Sequence, residues 1–414
     1  MNPFAYRDGT LCAEDVPLPQ IAAAYGTPCY VYSRAALQSR FEEFRQALAG
    51  RNAMVCYAVK ANSNLAILNL FARAGAGFDI VSGGELARVV AAGGDPARVV
   101  FSGVGKTVDE IRMALDKGIF CFNVESAAEL ERLSEIAGRA GKRAPIALRV
   151  NPDVDPKTHP YISTGLRHNK FGVAYTEALE LYRRARRLPH LEIAGIACHI
   201  GSQLLDPAPA AEAAGKILVL ADRLAAEGIV LRHLDLGGGI GIRYRDETPP
   251  SVAEYLAPIL AQLTGRREKV LFEPGRALVG NAGLLLARVE HLKHGEERNF
   301  AVIDAAMNDL MRPALYDAWH DILPVRQGSG ETAEYEVVGP VCESGDFLGH
   351  GRSLAVAAGD LLAIMSAGAY GMAMSSNYNS RPRAAEIMVD GDWLHLVRER
   401  ERIEQLFAGE RILP

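Results

Sequence analysis

From about residue 54 to 276 the chain repeats one pattern: a short apolar run bounded by Gly, Asn or Ser, then an amphipathic stretch rich in Ala, Leu and Arg. Apolar runs of four to eight residues between turn formers predict buried strands, and the 3.6-residue apolar period predicts helices. The predicted strands are Met54 to Val59, Phe78 to Val81, Val99 to Ser102, Phe120 to Val124, Ile146 to Val150, Ile193 to Ile200, His233 to Leu236 and Val270 to Phe272. The helices between them are Ser39 to Ala49, Asn64 to Ala74, Gly84 to Ala92, Thr107 to Lys117, Ser126 to Arg139, Tyr175 to Arg187, Ala210 to Glu227 and Val252 to Leu263. Thr107 with Glu110, and Ser126 with Glu129, have the capping-box spacing. Eight βα repeats over this length fit a (β/α)8 TIM barrel better than an open doubly wound sheet.

After Arg276 the rhythm changes to short Val-, Leu- and Ala-rich segments: Leu284 to Leu292, Phe300 to Asp304, Tyr335 to Val338, Asp360 to Ile364 and Glu386 to Val389. These predict a mostly β domain. Pro28 to Tyr32 precedes the barrel and is expected to join that domain as an edge strand. The fold class is therefore α/β, with residues 1–36 joining the β domain, 37–280 forming the barrel and 281–414 the β domain.

The chain has 414 residues, 49% hydrophobic and 23% charged, the profile of an ordinary globular protein rather than a disordered or fibrous one. Its 45 basic and 50 acidic residues leave a net charge of −5, with no basic excess to hold nucleic acid. Leu361 to Ser380 has the length of a membrane span, but its second half is rich in Gly, Ser and Asn and reads as strand, loop and turn. Six cysteines without a CxxC pair, and an N-terminus without an apolar signal segment, point to reduced thiols in a cytoplasm.

In a barrel, chemistry sits at the C-terminal ends of strands, and phosphate groups bind at the loops after strands seven and eight. LGGGIG (236–241) and EPGR (273–276) fall there. Clustered glycine N–H groups with an Arg suit an anion; a plain tight turn is the alternative. Lys60 closes the first strand, beside the eighth, and either snorkels to solvent or forms a Schiff base with a carbonyl cofactor, which points to pyridoxal phosphate. His199, ending strand six, could stack on a pyridine ring or be a structural histidine, and Ser202 could reach a phosphate. Glu273 could hold a ring nitrogen protonated, which strengthens the ring as an electron sink and favours decarboxylation over racemisation.

In the β domain, CESGD (342–346) joins a thiol, a carboxylate and a turn, and could equally be a turn around a buried Cys. Arg312 and Tyr316 in RPALY share a face if helical, suited to a substrate carboxylate or to solvent. Tyr370 in AGAYG could approach a phosphate or pack in the core.

The sequence from about Tyr30 to Val389 resembles the diaminopimelate decarboxylase family, within the alanine racemase-like fold type III group of pyridoxal-phosphate enzymes. The resemblance is carried by YAVKAN (57–62), FDIVSGGEL (78–86), RVNPDVD (149–155), HPYISTG (159–165), KFG (170–172), HIGSQ (199–203), LGGGIG, EPGR, MRPALY (311–316), CESGD, AGAYG (367–371) and YNSRPR (378–383). It implies that Lys60 carries pyridoxal 5'-phosphate, that His199 stacks on its ring and that Glu273 meets its nitrogen. Gly238, Gly239, Ser202, Pro274, Gly275, Arg276 and Tyr370 would hold the phosphate or the substrate near it, and Asp79 is an acid close to the cofactor. Arg276, Arg312 and Tyr316 would bind the distal carboxylate of the substrate and Glu343 its distal ammonium group. Cys342 would protonate the carbanion.

The resemblance further implies a homodimer in which CESGD completes the partner's site. The reaction it implies converts meso-2,6-diaminopimelate to L-lysine and carbon dioxide, the last step of lysine biosynthesis. Two other readings stand beside it: a fold type III decarboxylase of ornithine, arginine or a carboxylated polyamine, and a non-catalytic cofactor-binding homologue. No motif position departs from the family in a way that removes a catalytic group.

Overall fold

The computed structural model describes residues 3–155, 170–328 and 330–414. The chain divides into two compact units. One comprises Arg40–Ile242 with Thr248–Ala277; the other comprises Met1–Ser39, Arg243–Glu247 and Leu278–Pro414.

The first unit is a closed barrel of eight parallel strands. These are β1 (Ala53–Ala58), β2 (Gly77–Ile80), β3 (Val99–Phe101), β4 (Cys121–Val124), β5 (Ala144–Asn151), β6 (Leu191–Ala197), β7 (His233–Asp235) and β8 (Lys269–Phe272). Each pairs with the next, and β8 pairs with β1, Val270 to Phe272 lying against Ala53 to Val55. The strands are near-continuous apolar runs because both faces are covered, by the barrel core within and the helices outside. One close approach explains a small residue: a Cβ at Gly195 in β6 would lie 2.2 Å from the ring of His233 in β7.

Every predicted helix is present, and most begin within two residues of expectation. Thr107 and Glu110 form the full reciprocal capping box. At Ser126 only half of it forms: the Glu129 carboxylate accepts instead from the Glu125 N–H at 2.9 Å and from the buried Lys106 ammonium at 2.7 Å. A buried cation outcompetes a solvated cap for the same carboxylate.

The second unit is built on a mixed sheet. Cys29–Ser33 is not its edge, as the sequence pattern suggested, but an interior strand. It pairs antiparallel with Gly283–Lys293 on one side and parallel with Ala385–Asp390 on the other. All five of its residues are buried, which is the reason an edge position does not suit them. The span considered for a membrane, Leu361 to Ser380, begins as the strand Leu361–Ile364 and continues as turns. No described helix is long and apolar enough to cross a membrane.

Candidate active site

The barrel supplies one group of candidate side chains, all from strand ends. Lys60 lies just past β1, in the 3-10 turn Val59–Ala61 rather than in the strand. Its Nζ is 2.9 Å from Oδ2 of Asp79 in β2, with 40% of the lysine side chain exposed and the aspartate fully buried. That turn lifts the amine off the barrel wall while an ion pair fixes its direction. Asp79 Oδ1 is buried without a hydrogen-bond partner among the described residues.

Glu273, the residue after β8, is buried beside Asp235 at the end of β7, and their carboxyl groups are hydrogen-bonded. Burial, then the charges of Asp235 and Asp79, push the Glu273 carboxyl well above the ordinary range, against the pull of Lys60. Asp235 accepts the Gly237 N–H at 3.0 Å and the Asn123 amide at 3.0 Å. Burial raises the Asp235 carboxyl too, but these donors pull it back down, so of the two acids Glu273 is the one pushed further up. Glu273 Oε1 is left buried with no partner among the described residues.

His199 follows β6. The Gly238 N–H donates to its Nδ1 at 3.3 Å, so that nitrogen carries a lone pair. Burial, with help from Arg149 and Lys60, drives the imidazole pKa well below its usual value; the ring is neutral and flat-faced. The loops after β6, β7 and β8 are latched together at the backbone. A Cβ on Gly238 would meet the Glu273 carbonyl at 2.1 Å, the Gly239 carbonyl accepts the Leu204 N–H at 2.8 Å, and the Pro274 carbonyl accepts the Ala58 N–H at 3.0 Å. A Cβ on Gly275 would sit 3.1 Å from the side chains of Ala58 and Ala61. Arg276 is buried, and its Nε and a terminal nitrogen both donate to Ser202 Oγ, at 3.2 and 3.1 Å. A guanidinium and a hydroxyl thus meet where glycine loops converge, the arrangement an anion requires.

The second unit holds the other group. Arg312 and Tyr316 are the first and last residues of the short helix Arg312–Tyr316, one face as expected, with Arg312 buried. Cys342 and Glu343 are exposed. Their turn is shaped by Asp346, buried, which accepts the N–H groups of Met307 at 2.6 Å and Val341 at 2.8 Å. The Cys342 N–H donates to Asn379 Oδ1 at 2.8 Å, tying CESGD to YNSRPR. Tyr370 is held at φ +56° between Gly368 and Gly371. HPYISTG, and all but the ends of the polar stretch from Asp153 to Lys170, lie outside the described residues.

The family model for the pyridoxal binding domain of pyridoxal-dependent decarboxylases matches residues 34–280. Diaminopimelate decarboxylase of Pseudomonas aeruginosa is 59% identical over the full length of both chains. The chain belongs to the diaminopimelate decarboxylase family. Among solved structures, diaminopimelate decarboxylase of M. jannaschii in complex with L-lysine is 37% identical, with TM-score 0.94 over all of this chain and 98% of that one. The Helicobacter pylori enzyme with L-lysine is 43% identical, with TM-score 0.91 over 94% of this chain and 98% of that one.

The protein is therefore a pyridoxal-phosphate-dependent decarboxylase, and the barrel residues fit that cofactor. The buried Oε1 of Glu273, without a partner among the described residues, is an unmet acceptor of the kind a pyridinium N–H satisfies, and the Lys60 amine lies in the turn just past the neighbouring strand. The sequence reading missed four contributors. Asp235 was legible only as an acid inside an apolar run, HLDL. Glu85, quoted within FDIVSGGEL without a role, is raised to about 7 by burial while the Val81 N–H pulls it down. Asn379 and Asp346 give no local sign of the turn they shape.

Proposed function

We propose that this enzyme removes the carboxylate at the D-centre of meso-2,6-diaminopimelate, giving L-lysine and carbon dioxide, as the last step of lysine biosynthesis. The observation that carries the reading is the 59% identity, end to end, to a protein of that name. When bound, pyridoxal phosphate supplies an electron sink for the carbanion that carbon dioxide leaves behind.

The chain's own residues take the remaining work. Lys60 would be the amine that carries the cofactor, with Asp79 aligning its Nζ. Glu273, supported by Asp235, would meet the ring nitrogen and help keep the ring electron-poor. His199, neutral, would lie against the face of that ring. Gly238, Gly239, Gly275, Ser202, Arg276 and Tyr370 would receive the phosphate, with Pro274 fixing the loop. Arg276, Arg312 and Tyr316 take the distal carboxylate, Glu343 takes the distal ammonium group, and Cys342 delivers a proton to Cα.

The exposure of Cys342 and Glu343 on their own unit supports a homodimer in which each copy lends this turn to the other's barrel. All six cysteines are free thiols, which supports a cytoplasmic enzyme. The test is production of L-lysine and carbon dioxide from meso-diaminopimelate with added pyridoxal phosphate, run beside L-ornithine and L-arginine. Lysine from the meso compound alone is expected; turnover of ornithine or arginine in its place would reject the substrate.

A further inference from the structure

Arg312 is a buried cation, 7% exposed, on a helix too short to fix a long side chain by itself. Two residues outside that helix do so. The guanidinium carbon lies 4.5 Å from the ring centroid of Tyr244, and one terminal nitrogen is 2.8 Å from His320 Nε2. The His320 ring meets the Tyr244 ring edge-on, at 5.3 Å and 78°. Tyr244 comes from the segment Arg243–Glu247, which follows the seventh-strand glycine loop yet packs within the β unit. Its N–H and that of Arg245 both donate to one Glu247 oxygen, at 2.9 and 2.7 Å.

The hydrogen bonds fix the protonation state of His320 without reference to its acidity. Nδ1 is 2.7 Å from the Met365 carbonyl oxygen, which only accepts, so Nδ1 carries the hydrogen. The guanidinium only donates, so Nε2 carries the lone pair. His320 is therefore the neutral Nδ1–H tautomer, completely buried. A carboxylate in its place would also hold Arg312, but it would cancel the charge that a substrate carboxylate needs. A neutral acceptor aims the guanidinium and leaves the charge intact.

We propose that His320, braced by the Met365 carbonyl and Tyr244, is a positioning residue that orients Arg312 for carboxylate recognition. The proposal rests on the reading of Arg312 as part of the distal-carboxylate clamp. It assigns to His320 no contact with substrate.

The test uses the holoenzyme and two inhibitors differing in one group: L-lysine, which keeps the distal carboxylate, and cadaverine, which lacks it. His320→Asn retains a donor for Met365 and removes the acceptor for Arg312; His320→Gln retains an acceptor near the Nε2 position. With His320→Asn the inhibition constant for L-lysine is expected to rise about tenfold, the scale of one charge-assisted hydrogen bond. Cadaverine inhibition stays within about twofold, KM for meso-diaminopimelate rises more than kcat falls, and His320→Gln recovers most of the loss. Equal weakening of both inhibitors, or of neither, by His320→Asn overturns the positioning role. Arg312→Lys in parallel separates the two levels. If it discriminates the inhibitors and His320→Asn does not, only the role of His320 fails; if Arg312→Lys does not discriminate them, the clamp reading and this proposal fail together.

Discussion

In the barrel, every candidate side chain leaves a strand end or the first loop after it, and its neighbours are other strand ends. In the β unit, Arg312, Cys342 and Glu343 sit on a one-turn helix and an exposed turn, and their positions come from residues in loops and turns, two of them (Tyr244 and Asn379) distant in the chain and two (His320 and Asp346) nearby. The electrostatics differ in the same sense. Asp79, Asp235 and Glu273 are gathered in the buried end of the barrel, close enough for two of them to raise the third, whereas Asp346, one of the buried acids of the β unit, is taken up by backbone N–H groups. A regular scaffold can carry strained charge because its strands are fixed by their own ladders. An irregular one uses its charges to hold its shape.

That contrast sets the order of expected effects. Lys60→Ala should abolish turnover and the visible absorbance of bound cofactor, since no other described amine approaches Asp79 as Lys60 does; an active, coloured variant would remove the barrel from the chemistry. Cys342→Ala should keep the colour and lower kcat by about 10²- to 10⁴-fold, the range for loss of a positioned proton donor. Unchanged kcat in that variant would make the exposed turn a bystander.

Asp346→Ala should act on stability first. It strands the N–H groups of Met307 and Val341, at about 1–3 kcal/mol each, and denaturant unfolding should register it with cofactor binding by the barrel largely kept. The smallest effect belongs to Glu85. Its carboxyl is raised to about 7 in the folded protein from 4.5. The folded state therefore binds the extra proton between those values, and this group's contribution to stability is present below pH 4.5 and lost as pH rises to about 7. Glu85→Gln should flatten that fall, by about 1–3 kcal/mol for this half-buried group. An unchanged pH profile would show that the site's acids do not titrate as a buried set.

The barrel half was the more legible in the sequence because its requirements are local. Gly238 must be glycine where a Cβ would stand 2.1 Å from a carbonyl oxygen, and such demands leave motifs. Strand order followed from eight repeats. The pairing of Asp235 with Glu273 did not, because a carboxylate at a strand end looks the same whether it faces solvent or another acid. In the β unit the strand Phe347–Leu354, FLGHGRSL, escaped notice because its glycines and charges break the apolar run. Trp393–Arg398 escaped because it is a sheet-edge strand with no fully buried residue, Trp393 and Leu396 both being exposed. The interior place of Cys29–Ser33 was hidden for the opposite reason: burial on both faces erases the alternation that marks a strand's neighbours. His320 and Tyr244 carry no motif at all, since what they supply is a bearing for Arg312 and the chain brings them to it only on folding.

The most direct test of the two-part site is to mix two inactive proteins, Lys60→Ala and Cys342→Ala, under conditions that exchange subunits, with differential tags to confirm mixed dimers. If each copy lends its CESGD turn to the other's barrel, half the dimers are mixed and each has one intact site, so activity should return to about a quarter of wild type. Mixed dimers that form and stay inactive would contradict the account.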